Sequence, residues 1–217
     1  MTDLLIFPYG GNSREAADVV YAINQEKPTW NLLGFLDDDP HKKDQTYLDI
    51  PVLGGKDLLG QYPDAKILAV FGNPQNYLSR DKIITSLRIS PDRYASLIHP
   101  CVQFTPSVKI GSNVLIMANV VLTANAGIGN HCIIRPNTVI SHDTVIRDYS
   151  IIGSNVSISG SVMIEELCYV GAGVQIKESV SIGRGALLGM GAVVVESVAP
   201  GTVVVGNPAR PLKKVRS

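Results

Sequence analysis

Large apolar residues recur at every sixth position through the second half of the chain. Counting from Ile98 to Val194, all 17 such positions are large and apolar, and the residue four places after each is Val, Ala, Cys, Thr or Ser. Neither a helix nor a simple alternating strand has this period. A strict hexapeptide indicates a parallel β-helix, in which six residues form one short strand and its corner. Three such units close one triangular coil, so residues 18 positions apart should stack.

The first half has a different pattern, in which short apolar runs alternate with helical spacing. The runs "LLIF" (4–7), "NLLGFLD" (31–37) and "KILAVFGN" (66–73) predict buried strands, and "REAADVVYAINQE" (14–26) and the segment ending near Arg88 predict helices. Strands that alternate with helices are typical of βαβ units and a parallel sheet. The chain is therefore predicted to be mixed: a small α/β unit followed by an all-β prism.

Polar and glycine residues follow each predicted strand of the first half. These residues are Gly10, Gly11, Asn12 and Ser13 after the first strand, Asp37, Asp38 and Asp39 after the second, and Gly72 and Asn73 after the third. In open parallel sheets, ligands bind at the carboxyl ends of the strands. The first loop opens a helix whose N–H groups can hold a phosphate. It lacks the G-x-G-x-x-G fingerprint, because Pro8 occupies the place of the first glycine, so a dehydrogenase is not expected.

The composition of the chain argues against several classes of function and location. Nineteen basic residues balance 19 acidic ones, which gives no general attraction to nucleic acid or to an anionic membrane. No run approaches the roughly 20 apolar residues that a membrane span needs. No signal peptide is expected at the N-terminus. Three cysteines without close spacing favour a reducing compartment. These features predict a soluble cytoplasmic protein.

The stretch "VISHDTVI" (139–146) places a titratable pair, His142 and Asp143, inside the apolar repeat. In the hexapeptide frame His142 is the third residue of the unit 140–145, so its side chain is expected near a corner and pointing outward. An outward histidine is often only a solvated surface residue. Here the residues one coil away are Ala124 and Gly160, which predicts open space beside the ring and an unshielded backbone N–H. That setting suits a general base that receives a reacting group.

The remaining histidines and cysteines favour structural roles. His99, His131 and His142 are separated by 32, 11 and 43 residues, none a multiple of 18, so they form no ladder of zinc ligands on one edge. Cys132 and Cys168 occupy the small inward position two coils apart, roughly 9.6 Å, which is too far for a disulfide. Cys101 has no histidine beside it, so a cysteine acyl-enzyme has no support. The histidine spacing therefore argues against a zinc-dependent hydratase, and no metal is expected.

Seven segments carry a resemblance to a known family. They are "GGNSRE" (10–15), "GFLDDD" (34–39), "IPVLGG" (50–55), "AVFGN" (69–73), "LIHP" (97–100), "SHD" (141–143) and "VVGNPARPLKK" (204–214). The chain resembles the nucleotide-sugar N-acetyltransferases and their sialic acid O-acetyltransferase relatives, which are hexapeptide-repeat acyltransferases. The resemblance implies a small Rossmann-like domain over residues 1–96 that binds a nucleotide-sugar. It also implies a left-handed parallel β-helix over 97–217, with a C-terminal tail.

The resemblance assigns roles to particular residues. It implies His142 as the general base, Asp143 as its support, and acetyl-CoA as co-substrate in direct transfer. The implied acetyl-CoA contacts are Gly160, Ala172, Gly189, Met190, Gly191 and Lys213. The implied substrate contacts are Gly10, Gly11, Asn12, Ser13, Asp37, Asp38, Gly72 and Asn73. The tail also concentrates Arg210, Lys214 and Arg216, which either attract CoA phosphates or form a frayed, solvated end.

The same resemblance implies a homotrimer with active sites between subunits. Ile116, Met117 and Val121 are expected at positions where one coil cannot bury them. Several family positions differ here: Arg135 replaces an Asn seven residues before the base, Asn12 replaces a His, and Ile151 replaces a second His. The leading function is N-acetylation of a nucleotide-linked amino-deoxysugar. Sugar O-acetylation of the sialic-acid type and a non-catalytic binding protein remain alternatives.

Overall fold

A computed structural model describes residues 1–215 of the chain. The first half forms a five-stranded sheet of order β3-β4-β2-β1-β5. Its elements are β1 (Thr2–Phe7), α1 (Gly11–Glu26), β2 (Trp30–Leu36), β3 (Thr46–Tyr47), β4 (Ile50–Gly54), β5 (Lys66–Ala69) and α2 (Arg80–Thr85). Short 3-10 helices span Pro40–Lys42, Lys56–Gln61, Tyr77–Ser79 and Pro91–Arg93.

The three predicted strands and the first helix of this half are confirmed, with differences at their ends. β5 stops at Ala69, so residues 70–73 leave the sheet earlier than predicted. The helix predicted to run to Arg88 is instead a 3-10 turn followed by the six residues of α2. The sequence pattern missed β4, and it also missed β3, which pairs antiparallel with β4. Pro51 and Gly54 within β4 hide the apolar alternation that marks a strand.

The second half is a triangular prism of two-residue strands. Wall 1 contains β6 (Leu97–Ile98), β8 (Leu115–Ile116), β11 (Ile133–Ile134), β14 (Ile151–Ile152), β17 (Tyr169–Val170), β20 (Leu187–Leu188), β22 (Thr202–Val205) and β23 (Arg210–Lys214). Wall 2 contains β9 (Val121–Leu122), β12 (Val139–Ile140), β15 (Ser157–Ile158), β18 (Gln175–Ile176) and β21 (Val193–Val194). Wall 3 contains β7 (Lys109–Ile110), β10 (Gly127–Ile128), β13 (Val145–Ile146), β16 (Met163–Ile164) and β19 (Ser181–Ile182).

Neighbouring strands of each wall are parallel through the coils, and their partners lie 18 residues apart, as in Ile133↔Ile151. The 18-residue coil predicted from the hexapeptide is therefore confirmed. The six-spaced apolar residues and the small residues fill one continuous core, with Cys132 and Cys168 fully buried in it. Phe104 is the exception and is 47% exposed. The residue 18 positions before it belongs to the first half, so no coil covers it.

The corners of the prism impose a particular local backbone conformation. From Asn113 to Gly191 the chain adopts a positive φ at every sixth residue, as at Asn125 (59°), Asn137 (60°) and Asp143 (57°). Asn and Asp tolerate this left-handed region better than other non-glycine residues. Asp143 is thus a corner residue. Its neighbour His142 is held immediately before the turn, with its side chain exposed.

The two halves are joined by buried contacts. Asn113, at a prism corner, donates to the Ala69 carbonyl (2.9 Å) and accepts from the Ala69 N–H (2.7 Å). One hydrophobic cluster unites residues of α1 with Leu115, Met117 and Ile133 of wall 1. The trimer argument from Ile116 and Met117 is wrong, because both are buried within this one chain, at 0% and 3% exposure. Of the three residues invoked, only Val121 stays half-exposed.

Candidate active site

His142 and Asp143 form a hydrogen-bonded pair on the surface of the prism. Nδ1 of His142 lies 2.9 Å from Oδ2 of Asp143, and Asn125, one coil away, donates to Oδ1 of Asp143 (3.1 Å). The hydrogen bond from His142, followed by that from Asn125, lowers the pKa of Asp143. The carboxylate therefore stays ionised and favours the tautomer with a proton on Nδ1. That tautomer leaves the lone pair of Nε2 free to accept a proton.

Gly160 lies directly against the imidazole. A Cβ added to Gly160 would come within 2.5 Å of both Cε1 and Nε2 of His142. The structure thus differs from the expected open space, because the ring itself occupies the room that the missing side chain provides. The Gly160 carbonyl accepts from the Ser179 N–H (3.1 Å), while the Gly160 N–H donates to nothing within residues 1–215. A side chain at position 160 would therefore displace the imidazole from this place, whereas glycine lets the ring lie beside a free N–H donor.

A second site lies where the first half meets the prism, and we call it the junction cleft. It has a volume of about 290 Å³ and is lined by Pro8, Gly10, Gly11, Asn12, Val70, Phe71, Gly72, Asn73, Asn76 and Arg135. A Cβ on Gly10 or Gly11 would meet nothing within 4 Å, so the start of α1 faces open space. The structure thus brings together five of the predicted substrate residues: Gly10, Gly11, Asn12, Gly72 and Asn73.

Two of the cleft's polar residues bridge separate parts of the chain. Asn12 donates to the carbonyls of Val70 (2.8 Å) and Gly72 (3.0 Å), and its Oδ1 accepts from Arg135 (2.6 Å). Sequence reasoning treated Arg135 only as a departure from the family pattern. Arg135 directly follows β11 of wall 1, and wall 1 packs on the first half. Its position in the hexapeptide could therefore have indicated that its side chain lies near the first half.

The other predicted substrate residues lie elsewhere. Ser13 is fully buried, where its hydroxyl accepts from the Gly10 N–H (2.7 Å) and donates to the Gly10 carbonyl (2.9 Å), so it caps α1. Asp37 is ion-paired with Lys42 at 2.8 Å, and Asp38 is ion-paired with Lys56. Both aspartates line a different cleft. Their carboxylates already have partners, which reduces their capacity to bind a ligand.

The predicted acetyl-CoA residues fall on two edges of the prism. His142 and Gly160 follow wall 2 strands and lie on the edge between walls 2 and 3. Ala172, Gly189, Met190 and Gly191 follow wall 1 strands, on the edge between walls 1 and 2, which Arg135 shares. Met190 is 80% exposed. The junction cleft and the histidine are therefore separated by one wall of the same chain.

The C-terminal tail is ordered against the prism. β23 pairs antiparallel with β22, so the frayed-end interpretation is wrong for Arg210–Lys214. Arg210, Lys213 and Lys214 line a cleft of about 540 Å³ beside the last coil. Lys214 also donates to the Thr202 hydroxyl (3.0 Å). Arg216, which was grouped with these cations, lies outside the described residues.

Three further titratable groups of the prism, on His131, Cys132 and Cys168, have pKa values that burial shifts. His131 stacks on Tyr149 with ring centroids 4.7 Å apart, and burial lowers its pKa to about 4. Burial raises the pKa of the Cys132 and Cys168 thiols to about 12 each. Within residues 1–215, no three His, Cys, Asp or Glu side chains are grouped so as to hold a metal ion. In the same part of the chain, no helix has the length and hydropathy to cross a membrane.

Comparisons with known proteins give one family and several similar structures. The family model described as the GMPPB C-terminal domain matches residues 93–207. No curated protein sequence matches the chain. A histidine-to-alanine mutant of GDP-perosamine N-acetyl transferase from Caulobacter crescentus, in complex with CoA and GDP-perosamine, is 25% identical. That match covers 99% of this chain and 98% of the other, with a TM-score of 0.84.

Two further structures are similar over their whole length. The acetyltransferase domain of PglB from Neisseria gonorrhoeae, in complex with acetyl coenzyme A, is 26% identical over 97% of this chain and 98% of its own, with a TM-score of 0.85. WeeI from Acinetobacter baumannii is 28% identical over 98% of this chain and 100% of its own, with a TM-score of 0.81. The likeness therefore extends over both halves of the molecule.

Proposed function

The chain belongs to the GMPPB C-terminal domain family, and from that premise we propose that it is an acetyl-CoA-dependent N-acetyltransferase acting on an amino group of a nucleotide-linked sugar. The resemblance to nucleotide-sugar N-acetyltransferases is confirmed by the similar structures. In the proposal the first half is a Rossmann-like nucleotide-sugar domain and the prism is a left-handed β-helix. The observation that carries it is the His142–Asp143 pair lying against Gly160.

The proposed reaction is direct transfer. The amine nitrogen attacks the thioester carbonyl of acetyl-CoA, and Nε2 of His142 takes the proton that the nitrogen loses. Asp143 holds the ring and stabilises the imidazolium that forms. The Gly160 N–H donates to the oxyanion of the tetrahedral intermediate. When the carbon–sulfur bond breaks, the proton on His142 passes to the departing thiolate, which restores the base and releases CoA.

The assignment can be tested with ligands and a matched pair of variants. Thermal shifts with UDP-, GDP-, dTDP- and CMP-sugars should single out one base, because stabilisation grows with ligand concentration over Kd. Gly10→Asp should weaken binding of that ligand at least about tenfold more than Gly10→Asn, since its carboxylate repels a phosphate at the start of α1. Asp and Asn are both good N-caps, so neither change should harm the helix.

Acetyl transfer is then measured with an amino sugar carried on the selected nucleotide. Release of CoA matched by a mono-acetylated sugar supports the assignment. If no nucleotide-sugar stabilises the protein and no amino sugar accepts acetate, the assignment fails.

The separation of the two sites leads to a proposal about assembly. Because one wall lies between the junction cleft and His142, we propose that each active site combines the cleft of one subunit with His142 of its neighbour in a homotrimer. We expect sedimentation equilibrium to give a trimer at micromolar concentration. The exposed Val139 and Met190 are available to such an interface.

A mixing experiment tests the shared site directly. Measured at nucleotide-sugar concentrations well below Kd, His142→Ala and Gly10→Asp subunits should each have little activity alone. Co-expressed at equal levels and randomly assembled, they should regain about one quarter of wild-type sites, because half of the clefts and half of the histidines are intact. Mixing His142→Ala with Asp143→Asn is the control, since both changes fall on one edge and restore no site of full activity. A mixture that regains nothing, or a monomeric protein, would contradict the shared site.

A further inference from the structure

Arg135 is the one charged side chain among the residues that line the junction cleft. The other lining residues are apolar, glycine or neutral amides. The side chain extends from wall 1 of the prism towards the start of α1, where it is 25% exposed. A single cation in a cleft of this kind sets the sign of the field that a ligand meets there.

The hydrogen bonds of Arg135 leave much of its donor capacity unused. A guanidinium has five N–H groups. Nη2 donates to Oδ1 of Asn12 (2.6 Å), and Nη1 lies 3.4 Å from Oε2 of Glu15. Nε is shielded from solvent and has no hydrogen-bond partner within residues 1–215. Three N–H groups are therefore free, and one of them is buried.

The charge of Arg135 is only weakly compensated. Its nearest carboxylate, on Glu15, is 47% exposed and is therefore screened by water. The N–H groups at the start of α1 add a partial positive charge to the same cleft. A protonated amine placed here would be repelled, whereas a planar carboxylate or a phosphate could accept two parallel hydrogen bonds from the guanidinium.

We propose that Arg135 is the oxyanion-binding residue of the junction cleft and that it recognises carboxylate or phosphate oxygens of the nucleotide-linked sugar. The identity of this ligand rests on the proposed function, but the anion selectivity of the cleft does not. Arg135 thereby orients the substrate, with its anionic part at the cleft and its acceptor group directed away from the guanidinium. A substrate with an acidic sugar would use the same contact.

The experiment measures Kd by calorimetry for inorganic pyrophosphate and for two matched sugar pairs. The pairs are UDP-glucose with UDP-glucuronic acid, and GDP-mannose with GDP-mannuronic acid. Arg135→Gln keeps a polar amide but removes the charge, and should weaken binding of the anionic group about 10- to 100-fold. A loss confined to the uronates identifies a sugar carboxylate. A loss shared by every ligand, with a shallower salt dependence, identifies the diphosphate.

Arg147 supplies the matched control. It occupies the same place in the hexapeptide two units later and is ion-paired with Glu165 (3.1 Å), but it lies on another edge of the prism. Arg147→Gln should leave every Kd unchanged, and Arg135→Lys should restore part of the lost affinity. The proposal is overturned if the wild-type protein binds none of these anions, or if Arg135→Gln binds them all like wild type. Binding is read without turnover, so a protein that fails to transfer acetate can still confirm the anion site.

Discussion

His142→Ala is expected to lower kcat by about 10²–10⁴-fold, the usual contribution of a positioned general base. The ring is exposed and lies outside the core of the prism, so its removal should open no buried cavity. Thermal stability and acetyl-CoA affinity should therefore stay close to wild type. The measurement is steady-state transfer to the identified amino sugar, with the Kd of acetyl-CoA determined separately.

The pH dependence distinguishes a base from a binding residue. The base must be unprotonated to accept a proton, so wild-type kcat/KM should rise with pH along an acid limb. His142→Ala should lose that limb and keep only the titration of the amine. Asp143→Asn should give a milder defect, because it disturbs the orientation of the ring and leaves the base in place. Wild-type turnover by His142→Ala would remove His142 from the mechanism.

Gly160 explains why the base and the oxyanion donor of this mechanism lie next to each other. The glycine provides the room into which the imidazole fits, and its N–H is free at that point. The two residues are 18 positions apart, so one coil of the repeat brings base and donor together. This part of the site could be predicted from the sequence, since stacking at 18 residues follows from the hexapeptide alone. What the repeat did not predict was that the ring would fill the space.

The junction cleft was less predictable, because it depends on how the two halves pack. Asn12 and Arg135 are 123 residues apart in the chain and meet only because wall 1 lies against α1. The aspartates after β2 had the right position at a strand end, but nearby lysines engage them in ion pairs. A residue that follows a parallel strand is expected at the ligand-binding edge of the sheet. Its position in the sequence does not show whether its side chain stays free to bind a ligand or is already paired with a neighbour.

Arg80 is the second residue whose replacement should have a large effect. Its side chain is fully buried between the two halves. Nε donates to the Tyr149 carbonyl (2.9 Å), and Nη2 donates to the His131 carbonyl. Nη1 is buried without a hydrogen-bond partner in the described part of the chain. Burial lowers the pKa of Arg80 to about 10, so the guanidinium is still charged at pH 7.

Arg80→Ala is expected to lower the free energy of unfolding by about 4 kcal/mol, because it leaves a cavity and two carbonyls without donors. Urea unfolding at fixed protein concentration, followed by fluorescence of Trp30, the single tryptophan of the chain, reports on the first half. Arg80→Met is the matched control, since it refills most of the volume without the charge. The free energy of unfolding of Arg80→Met should fall by roughly 1–2 kcal/mol, because removing the cost of a buried charge offsets part of the lost hydrogen bonding. If Arg80→Ala unfolds at the same urea concentration as the wild type, Arg80 does not stabilise the packing of the two halves.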